Sequence, residues 1–196
     1  MILNSLLIDN LYLVYLYPQE FPLFYNEKKS KSSEFFIILM ASLSLSISLV
    51  YLSRSYMDIS ISIVLFFFLL NIIFFNIYPS VLAYLIDFDL RKNEILPDLN
   101  QLVTFIRYSS GSISFILPLS FFGFMINLKG GGSLLFLLIF VFFFKLYIIS
   151  RGVYSIYRVS HSTAFSLVLG AFLRLYFIPL FIIFYFFTFT LGISFI

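Results

Sequence analysis

Five long apolar blocks, at about 35–52, 59–86, 108–128, 134–150 and 175–196, divide this chain into six polar pieces. Eighteen residues of helix rise roughly 27 Å, close to the thickness of a bilayer's hydrocarbon core. The blocks therefore predict membrane-spanning helices. The middle of the first block, from Ala41 to Ser48, alternates with period two, which alone would suit a barrel strand. The stretch 134–144 does not alternate, so a barrel is rejected. On a helix, Ser42 stacks on Ser46 and Ser44 on Ser48, and small residues so spaced let neighbouring helices approach closely.

The elements between the blocks follow from local signals. Ile2, Leu3, Leu6, Leu7, Leu11 and Val14 recur near helical spacing, with Asn4, Asp9 and Asn10 between them. This predicts a short amphipathic helix at the membrane interface within a leader, residues 1–34. The leader lacks a basic start and a small-residue cleavage site, so it does not read as a signal peptide. Asp98 is placed to cap a helix starting at Leu99, and Ser160 or Ser162 to cap the last helix. Lys129 and the run Gly130-Gly131-Gly132-Ser133 predict a tight reversal, which makes the third and fourth spans an antiparallel hairpin. The run lacks the Gly-Lys-Ser/Thr ending of a phosphate loop.

Charge adds orientation. Lys28, Lys29, Lys31, Arg91, Lys92, Arg107, Lys145, Arg151, Arg158 and Arg174 belong to the first, third and fifth polar pieces and the helix ends beside them. Only Arg54 and Lys129 lie in the second and fourth. Basic residues are retained in cytoplasmic loops during insertion, so the partition predicts an amino terminus inside and a carboxyl terminus outside. The fold expected is an all-α polytopic bundle of five transmembrane helices behind an interfacial amphipathic helix.

Composition excludes several functions. The chain of 196 residues is 62% hydrophobic and 11% charged, less than half the charge of an ordinary soluble domain, about 25%. It has no cysteine and one histidine, which removes thiol chemistry and multi-histidine metal centres. No cofactor is expected. The bases are scattered rather than clustered on one face, so no nucleic-acid partner is expected either.

Three kinds of chemistry remain in view. Asn71, Asn76 and Lys145 fall within apolar blocks and are candidates for a transport path or for packing between helices. Lys145, in the last third of its block, is expected to snorkel to the nearby interface. Ser110 or Ser112 with His161 would be the only ingredients of an intramembrane hydrolase. Pro18, Glu20, Phe21, Arg91, Lys92, Arg107, Arg151, Arg158 and His161 are candidate contacts to lipid headgroups or to a protein partner at the cytoplasmic face.

The order of features resembles the Yip family of Ypt/Rab-GTPase-interacting proteins in its short prokaryotic form, over nearly the whole chain from about residue 12. The elements that carry the resemblance are Pro18-Gln19-Glu20-Phe21 before the first span and Tyr108-Ser109-Ser110 with Pro118 in the third. The segment from Val153 to Ala164, with Ser160-His161-Ser162, follows the fourth. The resemblance implies a five-span bundle with a cytoplasmic amino terminus, no catalytic residues, and a role in organising membranes or binding partners. The loop from Asp87 to Asp98 lacks the glycines common in that family, and the long amino-terminal region of its trafficking members is missing. Both departures point to a bacterial-type protein of the cytoplasmic membrane rather than a GTPase binder. A small transporter or channel subunit is the alternative, and the hydrolase a third reading. Oligomeric state is not predicted.

Overall fold

A computed structural model describes residues 2–24, 27–53, 61–92, 98–125 and 131–176. The described residues are helical with short connections and contain no strand. In order they form α1 (Ile2–Tyr15), α2 (Phe21–Phe24), α3 (Glu27–Ser53), α4 (Ile61–Arg91), α5 (Leu99–Ser109), a 3₁₀ segment (Ser110–Phe115), α6 (Ile116–Met125) and α7 (Gly131–Tyr157). A last helix, α8, covers 161–176.

Four segments are long and apolar enough to cross a membrane: Lys31–Leu49, Ile61–Arg91, Leu99–Phe122 and Phe136–Tyr157. This is the architecture of a multi-pass helical membrane protein. The expected fifth block, 175–196, lies outside the described residues except for its first two positions, at the end of α8. Large apolar side chains such as Phe66, Leu69, Ile73, Ile77 and Phe88 stand exposed along α4, as suits surfaces solvated by lipid. The opposite face of α4 buries Asn71, Phe75, Tyr78, Leu82, Ala83, Ile86 and Leu90, a helical repeat of three and four.

The caps form as the local signals require. The Asp98 carboxylate accepts the Gln101 N–H at 3.1 Å, and the Ser160 hydroxyl accepts the Thr163 N–H at 3.1 Å. Between α7 and α8, Arg158 takes a left-handed φ of 53°, a conformation common just past a helix end but costly for a residue with a Cβ.

Several boundaries differ from expectation. The third apolar segment starts at Leu99 rather than 108, because α5, the 3₁₀ segment and α6 follow one another without a loop. Arg107 is therefore inside it rather than in a loop. The fourth helix runs to Tyr157, past the end of its apolar block at 150, so Arg151 and Val153 extend α7. Gly131, Gly132 and Ser133 belong to the first turn of α7, while Lys129 and Gly130 lie outside the described residues. The first N–H groups of a helix lack intrahelical acceptors in any case, so helix-poor residues cost least there. α6 packs against α7.

The leader differs most. Leu7, Leu11 and Val14 face the bundle as the stripe predicts, packing with Ile37, Phe105, Tyr108 and Ile148. The polar half of the pattern is divided: Asp9 faces outward and Asn10 does not. Asn10 donates to the Tyr108 hydroxyl at 2.8 Å, while Ile8, Tyr12 and Leu16 are exposed. Helix α1 is docked on protein, and its exposed positions include the apolar Ile8 and Tyr12 beside Asp9.

Candidate functional site

One end of the bundle gathers three polar pieces that are far apart in sequence. Ser155, near the end of α7, donates to the Pro18 carbonyl at 2.6 Å. Gln101, in the first turn of α5, donates to the Pro22 carbonyl at 3.2 Å. Arg151 donates to the Gln19 side chain at 3.4 Å. Arg174 of α8 forms an ion pair with Asp89 near the end of α4. The leader, the end of α4, the start of α5 and the end of α7 thus meet on one side.

The residues singled out by sequence divide into two groups there. Pro18 and Phe21 are buried; Phe21 meets Phe105 edge to face, with ring centroids 5.1 Å apart. Both are engaged in packing within the chain, so the Pro-x-x-Phe element fastens the leader instead of projecting from it. Glu20 is half-buried, and its carbonyl caps the turn into α2 by accepting the Leu23 N–H. Arg107 is half-buried and pairs with Glu34 at 2.7 Å. The outward group is Arg91, Lys92, Arg158 and His161. Arg91 pairs with Asp87 one turn back at 2.8 Å and remains 64% exposed, which leaves it mostly hydrated. Lys92 lies over the Phe88 ring, His161 stacks on Tyr154 at 3.7 Å, and Arg151 sits half-buried over Tyr147.

A second cluster lies in the interior, where α4, α7 and the 3₁₀ segment meet. Lys145 is only 5% exposed, so it does not snorkel as expected. Its Nζ donates to the Ser110 hydroxyl at 3.0 Å and lies 4.2 Å from the Tyr78 ring centroid. The physical reason is a nearby hydroxyl and a π face, which together hold the ammonium inside at less cost than stretching the side chain to the interface.

The three candidate intramembrane residues do not share a path. Asn71 is buried and donates to Ser46 of α3 at 2.9 Å, the cross-helix bond expected of an amide in a span. Asn76 is exposed on the outside of α4 and bonds to the Ile72 carbonyl of its own helix. Nor does the structure join His161 to the serines. Ser110 and Ser112 donate to the carbonyls of Ile106 and Ser109, and no hydrogen bond links either to His161 among the described residues. Sequence reasoning passed over Glu34, Tyr78 and the pairing of Ser110 with Lys145. A single acid at the edge of the first apolar block was the available signal for Glu34.

No family model, no characterised protein and no solved structure matches this chain.

Proposed function

We propose that this chain is a non-enzymatic integral membrane protein of Yip type, which organises membrane or binds a partner at its basic end. In this reading it has five spans, the fifth over residues 175–196. The basic end faces the cytoplasm of a bacterial cell. The observation that carries the proposal is the gathering of the first, third and fifth polar pieces, with Arg91, Lys92, Arg158 and His161 outward upon them. Retention of bases on the cytoplasmic side would orient that end inward. Each base near an anionic leaflet contributes about 1 kcal/mol of attraction, and the stacked His161–Tyr154 pair offers a flat, exposed surface beside them.

The chain has no cysteine, so single cysteines introduced at Lys92, Arg158, Arg54 and Lys129 report topology without background. The first two should react only from the cytoplasm, and the last two only from outside. Crosslinking through residue 92 or 158 in intact membranes should capture a reproducible partner, lost when Arg91, Lys92 and Arg158 are neutralised together. Labelling of all four sites from one side, or capture indifferent to those charges, would remove the proposal.

A further inference from the structure

Helix α4 is the least enclosed of the four spans: 17% of its most apolar window is buried, against 44% to 56% in the other three. Asn76 stands at its midpoint, about 22 Å of helix from Ile61 and from Arg91. A hydrocarbon core of about 30 Å takes up about 20 residues of helix. Wherever that core falls on the 31 residues of α4, it includes Asn76. The amide is nonetheless exposed. One of its N–H groups donates to the Ile72 carbonyl at 2.9 Å. The other N–H and the amide oxygen have no partner among the described residues, and lipid chains offer none. The face around it has a register. Ser62, Leu65, Leu69, Ile72 and Asn76 follow one another by steps of three and four. That is a heptad seam with Ser62, Leu69 and Asn76 at a and Leu65 and Ile72 at d. Ile72 is half-buried and the other four are exposed. The seam is about 21 Å long. It ends where its next position, Pro79, is buried in the chain's own bundle.

We propose that this seam is the interface between two copies of the chain, joined as a parallel pair of α4 helices with the two Asn76 side chains at the two-fold axis. Copies inserted with the same topology bring α4 together in parallel, and in a parallel pair each a position meets its own mate. An amide both donates and accepts. Asn76 can therefore give its free N–H to the oxygen of the partner's Asn76 and accept the same bond in return. An identical chain supplies the missing donor and acceptor, and an apolar partner supplies neither. Leu65, Leu69 and Ile72 pack the layers beside the amide, and Ser62 is small enough for close approach at the far end. A single Asn at an a position also fixes register and the number of helices. The inference rests on the outer face of α4 and is independent of the role of the basic end.

The chain has no cysteine, so single cysteines oxidised with copper phenanthroline in intact membranes report the contact. Leu65→Cys and Leu69→Cys should form a disulfide-linked dimer of this chain. Phe67→Cys and Phe74→Cys, also exposed on α4 but off the seam, should not. Energy transfer between donor- and acceptor-tagged full chains in liposomes should fall as lipid is added. Asn76→Val should weaken that association about three- to thirtyfold, the range of a hydrogen bond between spans, and Asn76→Gln should weaken it less. Asn76 bonds only within its own helix, so Asn76→Val leaves the packing of the single chain in place. Equal crosslinking at all four positions, no crosslinking at 65 and 69, or capture of a different protein there would overturn the proposal. So would association indifferent to Asn76→Val. The crosslinking contrast retains Asn76, so it decides even if Asn76→Val does not assemble.

Discussion

The hydroxyl of Ser44 on α3 accepts the backbone N–H of Leu117 on α6 at 3.1 Å, where α6 follows the 3₁₀ segment. Pro118 has no N–H, so the Ser114 carbonyl four residues back lacks its usual helical donor. The Ser44 hydroxyl is 3.0 Å from that carbonyl and 3.1 Å from that of Ile113, and donates into the gap. One side chain thus serves both a donor and an acceptor that the irregular backbone leaves over. Water cannot do this inside a bilayer.

Ser44→Ala should therefore lower stability by roughly 1 kcal/mol, the scale of a hydrogen bond inside a membrane protein. In a Pro118→Ala background the N–H at 118 can serve Ser114 itself, so the same substitution should cost less. Thermal unfolding of the four proteins in one detergent measures the coupling; additive effects would show that the two features are unrelated.

Glu34 and Arg107 form the ion pair that lets a charge enter the third span. Glu34 also accepts from the Thr104 hydroxyl at 3.2 Å, and its side chain is 5% exposed against 28% for Arg107. Glu34→Ala removes the carboxylate that both the guanidinium and that hydroxyl use. Breaking a buried pair costs more than this, but partial hydration of Arg107 reduces the effect to about 1–3 kcal/mol. Adding Arg107→Met to Glu34→Ala should recover part of the loss, read as the midpoint of denaturation.

The leader dock should be sensitive to alkaline pH through Tyr15. Its hydroxyl donates to the Ser109 carbonyl at 3.0 Å, and burial pushes the phenol well above its ordinary value. The docked state favours the neutral form. That contribution is complete below the free phenol's titration, near pH 10, and is lost as pH rises through the docked value. Val14 is buried on the inner face of α1, so a cysteine placed there should stay protected from thiol reagents at pH 7–9 and become reactive at higher pH. Tyr15→Phe should abolish the change relative to the same measurement in the parent.

Gly152 has no room for a side chain. A Cβ there would overlap the Phe105 ring, which Phe21 and the surrounding core hold in place. Gly152→Ala should cost about 1–3 kcal/mol by overpacking and loosen the leader, since Phe21 packs on the displaced ring. Increased cleavage within residues 16–24 by added protease would report the loosening. A variant as stable and as resistant as the parent would mean that α7 can shift away freely.

Features that depend on near neighbours along the chain were readable from residues alone. The caps at Asp98 and Ser160 were of this kind, as was the partition of bases. Asn71 bonds to Ser46 of another helix, and that partner follows from the packing of α3 against α4 rather than from the residues near Asn71 in sequence. The end of the fourth helix is not legible in the apolar block because helicity and apolarity are separate properties. Helix α7 continues through Arg151 after the apolar block ends.

Hydropathy and periodicity are properties of short windows, and they determined that this chain is an all-helical membrane protein and roughly where its spans lie. The fate of each polar group inside those spans was decided only by tertiary structure, because it depends on which side chain arrives from another helix. Arg107 entered the third span because Glu34 meets it across 73 residues. Lys145 turned inward because Ser110 and Tyr78 stand there. The leader lay down on the bundle because Tyr108 and Phe105 offered partners for Asn10 and Phe21. In a medium without water a polar group takes the nearest partner, and sequence order does not say which residue that will be.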